Sequence, residues 1–445
     1  MVEVTSHPLK NKISELLVSA DIEKTATYNR MLDYTIEIFE TQGLGNEYYG
    51  YHNIDHELEV TYVALLAATW EKKTQKLSLS DVEYLFTSAL FHDFDPQKLV
   101  DRPHEESVVR FISLDKELKK LIEEAELDME IIKALILRTS YPWTGEFKIK
   151  PERQMQECFN QSEITQNKPE QQSHYEELGW FLSVADRMGG YAVGDFSEAM
   201  EKAKKNAHSF AWHQSSIVRM SVNYFETLLN KEASMCRRVL HALPPEMRKN
   251  FMDTVLSFMN LRQEEIRIES KFVYENQKFQ TRADSIDERK SDEYIDSLTS
   301  IYKELPQPLQ MQKFGFAKSV LDPSSIVTTL RLSDGRDTIV GYAKGGPLEN
   351  YELYAGIEDE NFGKRNTIFL EPIAMKMGYW GLGGGTRLRK VFSLLANTKR
   401  YRYLTSFALR DQIQEKMGSE NVEFVTMIDP EHWDYFRVDL FGGIV

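Results

Sequence analysis

His52 and His56 stand four residues apart in Tyr51-His52-Asn53-Ile54-Asp55-His56, so a helix over 53–66 places both imidazoles on one face. His92-Asp93 closes the apolar stripe Val82, Leu85, Phe86, Ala89 and Leu90, whose i, i+3, i+4, i+7, i+8 spacing predicts the next helix. A further stripe, Leu178, Phe181, Leu182 and Ala185, leads into Asp186. Neutral imidazoles and carboxylates suit divalent Fe, Mn, Zn or Mg, and a site with four protein ligands leaves positions for water or substrate. Thiolate ligation is excluded as the main mode, because Cys158 and Cys236 are the chain's two cysteines. The same scarcity fits a reducing cytoplasm, and His208, His213, His241 and His432 read as solvated or core histidines.

Taken together, these segments resemble the H…HD…D signature of the HD-domain metal-dependent phosphohydrolases. The Tyr-His-Asn-x-x-His opening is similar to that of cyclic-nucleotide phosphodiesterases and small microbial HD phosphohydrolases, and His104-Glu105-Glu106-Ser107 resembles a stretch of the latter. The resemblance covers about residues 25 to 215 and implies an all-α array in which His56, His92, Asp93 and Asp186 are metal ligands. It puts His52 in the general-acid position and makes Asp93 the ligand able to bridge a second ion. A bound ion lowers the pKa of water and withdraws charge from a phosphoryl oxygen, which is the chemistry of phosphoester hydrolysis. Lys98, Arg102 and Arg187 are the nearby cations for phosphate oxygens, and the sequence does not select among them.

A second pattern lies near the C-terminus. Trp380-Gly381-Leu382-Gly383-Gly384-Gly385-Thr386-Arg387 precedes Leu388, Val391, Phe392, Leu394 and Leu395 at helical spacing. Glycines let backbone N–H groups approach a phosphate at a helix start. Lys376, Arg387, Arg389, Lys390, Lys399, Arg400, Arg402 and Arg410 occur with no acidic residue between Glu371 and Asp411, which predicts a local cationic surface. The hairpin pattern around Ser333-Asp334-Gly335-Arg336-Asp337, the strand pattern 366–375 and this loop resemble the acetyl-CoA-binding region of the GNAT acyltransferases. That resemblance covers about residues 290 to 430, with Trp380 in place of the leading Arg/Gln. It implies that Gly381, Gly383, Gly384, Gly385, Thr386 and Arg387 line an acetyl-CoA pyrophosphate, and that Glu371 is the general base.

These sites need two kinds of scaffold within 445 residues, a length that suits two or three domains. The expected organisation is an HD-type helical domain over 1–215, a helical connector over 216–283 divided by Pro244-Pro245, and an α/β GNAT-like domain over 284–445. The charged segment 281–292 marks the boundary, and the polar segment 150–173 reads as a surface excursion or lid. A net charge of -15 argues against duplex nucleic acid as a partner, and no apolar run reaches the ~18 residues of a membrane span. The expected partners are therefore a nucleotide-like phosphoester and an acyl-CoA, in a cytoplasmic protein whose oligomeric state the sequence leaves open. The competing expectation is an acyl-CoA-dependent N-acyltransferase whose HD domain regulates it.

Overall fold

A computed structural model describes residues 7–42, 50–95, 105–210, 212–311, 315–333, 335, 337–353, 357–409, 422–427 and 433–441. Lys98, Arg102, His104, Arg410 and His432 lie outside the described residues. The chain groups into two compact units, the first made of Met1–Phe210 and Met220–Phe258, the second of Ala211–Arg219 and Met259–Val445. Residues 216–283, expected as a connector, are thus shared between the two.

Among its described residues, the regular elements of the first unit are all helices. Its central helix, Ile54–Lys73, starts where the Asn53 side chain accepts the His56 N–H at 3.1 Å, with Asp55 and Glu57 in the first turn and Lys72 and Lys73 in the last. Leu58, Val60, Val63, Ala64, Leu65, Ala67 and Ala68 are all buried, so this helix is covered on every side. Against it pack the helix Leu79–Leu90, opened by a Ser78/Asp81 capping box, and the helix Pro169–Ala192. The close crossing with the latter depends on Gly189, where an added Cβ would lie 3.3 Å from the Val60 Cα. The segment expected as a polar excursion is instead helical over Gly145–Gln161, and Pro169 opens the next helix. Met155, Cys158 and Phe159 form a buried face that the many Gln, Asn and Glu residues around them obscure in the sequence.

The second unit is built on a sheet of β1 (Phe279–Ala283), β2 (Ile326–Leu332), β3 (Ile339–Pro347), β4 (Thr367–Leu370), β5 (Ala374–Met375), β6 (Tyr403–Leu409), β7 (Val422–Met427) and β8 (Trp433–Asp439). The order is β1-β2-β3-β4-β6-β8-β7, with β5 paired to β3. All pairings are antiparallel except β4 with β6. One face carries Leu330, Val340 and Ile368 against Leu388 and Phe392 of the helix Gly384–Thr398. The other carries Val327 and Tyr342 against the helices Asp292–Tyr302 and Phe316–Leu321.

Two sequence expectations shift here. Residues 281–283, in the charged boundary segment, form the end of β1, because alternate residues of an edge strand face solvent and carry charge at little cost. The strand expected over 366–375 is split into β4 and β5 at Glu371-Pro372-Ile373, since proline has no N–H to give a ladder. The fold is therefore an α-helical array followed by an α/β unit, as expected.

Candidate metal centre

The helix Ile54–Lys73 delivers His56 from its first turn, and the end of Leu79–Leu90 delivers His92 and Asp93. One ligand atom from each of these three lies within 4.8 Å of the other two, and all three side chains are buried. Asp186, on the helix Pro169–Ala192, completes the group: its Oδ1 is 3.3 Å from His56 Nε2 and 3.5 Å from His92 Nε2. Asp93 Oδ2 is 3.4 Å from each of the same two nitrogens. His52 Nε2 lies 4.0 Å from Asp93 Oδ2, at the edge of the cluster.

The protonation pattern tests whether an ion fits. His92 Nδ1 donates to the Ala89 carbonyl at 2.8 Å, which leaves Nε2 as the nitrogen facing the carboxylates. Nε2 is buried without a hydrogen-bond partner, so in the neutral ring a lone pair points at two carboxylate oxygens. Only a proton or a cation relieves that repulsion. In the metal-free protein the proton does so. Burial opposes charge on His56, but hydrogen bonds to Asp186 and Asp93 outweigh it and raise its pKa to about 9. Burial likewise opposes charge on His92, and Glu57 and Asp93 overcome it, raising its pKa well above the ordinary value. Burial is also outweighed at Asp93 and Asp186, whose pKa values fall below the carboxylate range beside these imidazoles. Two imidazoles facing two carboxylates form a donor set that a divalent ion can occupy in place of the protons.

The cluster opens into a cavity of about 670 Å³. Its lining includes His52, Asp93 and Asp186 together with Tyr51, Tyr141, Tyr191 and Tyr224. Arg187 also lines it, but its guanidinium pairs with Glu232, at 2.6 Å for Nη2, and lies over the Tyr141 ring. Glu105 is a lining residue that the sequence reading left out of the site. Burial pushes its carboxyl up to about 7, with the charge of Asp93 adding, against its own backbone hydrogen bond. The Glu-Glu-x-Ser stretch was its signal. Glu57 was missed as well: it is fully buried behind His92, and nothing in an apolar helix sequence tells which way one glutamate points.

In the second unit the glycine loop sits where expected, before the helix Gly384–Thr398. Gly381 and Gly383 have φ of +82° and +81°, and added Cβ atoms at Gly383 and Gly385 would meet nothing within 4 Å. Gly384 differs: a Cβ there would strike Leu330 and Met375, so this glycine serves helix-to-sheet packing. Thr386 and Arg387 are exposed in the first turn, and Arg387 Nη1 donates to the Phe279 carbonyl at 3.2 Å. Glu371 is buried, paired with the buried Lys344 and accepting from the Tyr351 hydroxyl at 2.8 Å.

No family model matches the chain, and no curated protein matches it. Solved structures similar to its parts include an acetyltransferase of the GNAT family from Staphylococcus aureus Mu50, at 10% identity and a TM-score of 0.26 over 37% of this chain and 99% of that one. Another is a GCN5-related N-acetyltransferase from Kribbella flavida, at 11% identity and a TM-score of 0.26 over 36% of this chain and 97% of that one. An aminoglycoside 6'-acetyltransferase type Ii is similar at 12% identity and a TM-score of 0.26, over 36% and 97%.

Proposed function

We propose that the first unit is a metal-dependent phosphoric ester hydrolase of the HD type, acting on a phosphomonoester or phosphodiester of nucleotide-like size. The observation that carries this reading is the convergence of His56, His92, Asp93 and Asp186 from three helices, with buried Nε2 atoms aimed at carboxylates. When bound, a divalent ion supplies an acidified water and withdraws charge from a phosphoryl oxygen. His56, His92, Asp93 and Asp186 would hold it. His52, at the cavity edge of the cluster, is placed to hand a proton to the departing oxygen. The lining tyrosines offer flat apolar surface to a base-like group, and the cavity volume suits a molecule of that size.

The deciding experiment is elemental analysis of the wild type beside a folded His92→Ala/Asp93→Ala variant, followed by hydrolysis of bis-p-nitrophenyl phosphate with added Mn²⁺ or Mg²⁺. The expected result is about one or two ions per chain and metal-dependent hydrolysis, both absent from the variant. Neither binding nor hydrolysis in the wild type, with Mn²⁺ and Mg²⁺ supplied, would overturn the reading.

A second activity, acyl-CoA binding by the second unit, is favoured by one feature of the sheet. The parallel pairing of β4 with β6 ends at Phe369 and Thr405, after which β5 follows β3 and β6 follows β8. No β4–β6 pairing is present beyond Phe369 and Thr405 among the described residues, which would leave that side of β6 open to a ligand. The Glu371 carboxylate is held by Lys344 and Tyr351, which favours binding or sensing of acyl-CoA over acyl transfer with Glu371 as base. Calorimetric titration with acetyl-CoA, expected to show one site per chain, tests this.

A further inference from the structure

His92-Asp93 is gripped from behind by a residue that neither touches the cavity nor belongs to the ligand set. Glu57, one residue after His56, is fully buried. Its Oε1 accepts the Asp93 backbone N–H at 3.3 Å, and its Oε2 lies 3.4 Å from His92 Nδ1. That Oε2 has no hydrogen-bond partner. A carboxylate with no exposure is costly to bury, and an amide or an apolar side chain would serve the packing of this helix at lower cost. The position of the charge makes sense through what it faces: the far nitrogen of one candidate ligand and the backbone of the next. With the Nδ1 proton given to the Ala89 carbonyl, which sets the ring's orientation, the carboxylate acts on His92 through its charge and raises the ring's basicity toward a metal.

We propose that Glu57 is a positioning residue of the metal centre, holding the Asp93 backbone in ligating geometry through its hydrogen bond and strengthening His92 as a donor through the charge it places 3.4 Å behind Nδ1. The inference rests on the metal-centre reading above. It predicts that Glu57 sets metal affinity without contacting metal or substrate.

The test titrates Mn²⁺ and Zn²⁺ calorimetrically into full-length metal-free wild type, Glu57→Gln, Glu57→Asp and Glu59→Gln. Glu59, two residues on, pairs with Lys202 at 2.6 Å and serves as a charge-matched control. Glu57→Gln is expected to weaken metal binding about 10- to 100-fold in protein shown to be folded by circular dichroism. Glu57→Asp should recover part of the affinity, and Glu59→Gln should bind within about twofold of the wild type. Wild-type affinity in Glu57→Gln, or an equal loss in Glu59→Gln, would overturn the assignment. If Glu57→Gln does not fold, Glu57→Asp decides, because wild-type affinity with the carboxylate withdrawn by one methylene overturns it too. A wild type that binds neither ion removes the metal centre itself, an outcome distinct from a defect confined to Glu57.

Discussion

A metal ion entering the cluster would have to displace the protons that hold it together, and this gives the proposed site a definite pH response. His56 keeps its proton up to about 9 in the metal-free protein, because hydrogen bonds to Asp186 and Asp93 outweigh burial. Metal affinity should therefore rise with pH across the range up to about 9, with protons released on binding, as calorimetry in buffers of different ionisation enthalpy would show. The same raised value stabilises the metal-free fold below the unfolded imidazole pKa of 6.5, and that contribution fades as pH rises toward 9. Glu105 also binds a proton more tightly in the folded state, since its carboxyl titrates at about 7 instead of 4.5. The folded protein thus loses stability from this group as pH climbs from 4.5 to 7. Glu105→Gln should stabilise the metal-free protein by about 2–3 kcal/mol at pH 8 and by less than about 1 kcal/mol at pH 5, read from urea unfolding. The ligand candidates were legible because His and Asp pairs at the ends of apolar stripes are rare enough to stand out. Glu57 and Glu105 were not, since a glutamate looks the same on a solvated face and behind a ligand.

At the scale of the elements, the positions of the ligands depend on how helices begin and cross. Asn53 caps the 54–73 helix by accepting from the His56 backbone and also donates to the Gly50 carbonyl at 3.0 Å. Asn53→Ala should cost about 1 kcal/mol of stability and weaken metal binding, since the freed N–H belongs to a ligand residue. A metal affinity equal to wild type would show that the helix start is held by other contacts. In the second unit, Gly383 caps the 384–398 helix at φ +81°, so Gly383→Ala should cost about 1 kcal/mol and weaken acetyl-CoA binding, whereas Gly385→Ala meets open space and should cost less. Helices with one apolar stripe and the β2-β3 hairpin were legible because their periodicities are local. The helix over Gly145–Gln161 was not, because its few buried residues are diluted among polar ones. The break between β4 and β5 could have been read from Pro372, which lies inside a pattern that otherwise reads as one strand.

For the molecule as a whole, each candidate site draws its residues from one unit: His52 to Asp186 for the metal, Gly381 to Arg387 for the acyl-CoA. Sites built from separate residue sets with no shared partner are expected to respond independently to mutation. His92→Ala/Asp93→Ala should then abolish metal binding and leave acetyl-CoA affinity within about twofold, and Gly383→Ala should weaken acetyl-CoA binding and leave metal affinity within about twofold. Titrating metal with and without saturating acetyl-CoA asks the stricter question, whether the second unit regulates the first. Independence predicts one metal affinity in both conditions. If acetyl-CoA instead shifts it by some factor, metal must shift acetyl-CoA affinity by the same factor, because coupling of two equilibria is reciprocal. A shift that levels off once acetyl-CoA saturates its site would show that the two sites are coupled, and a metal affinity that keeps falling as acetyl-CoA is raised further would mean that acetyl-CoA also binds in the tyrosine-lined cavity. The His92→Ala/Asp93→Ala variant separates those two outcomes, since only direct competition leaves a second acetyl-CoA site in a protein that no longer holds metal.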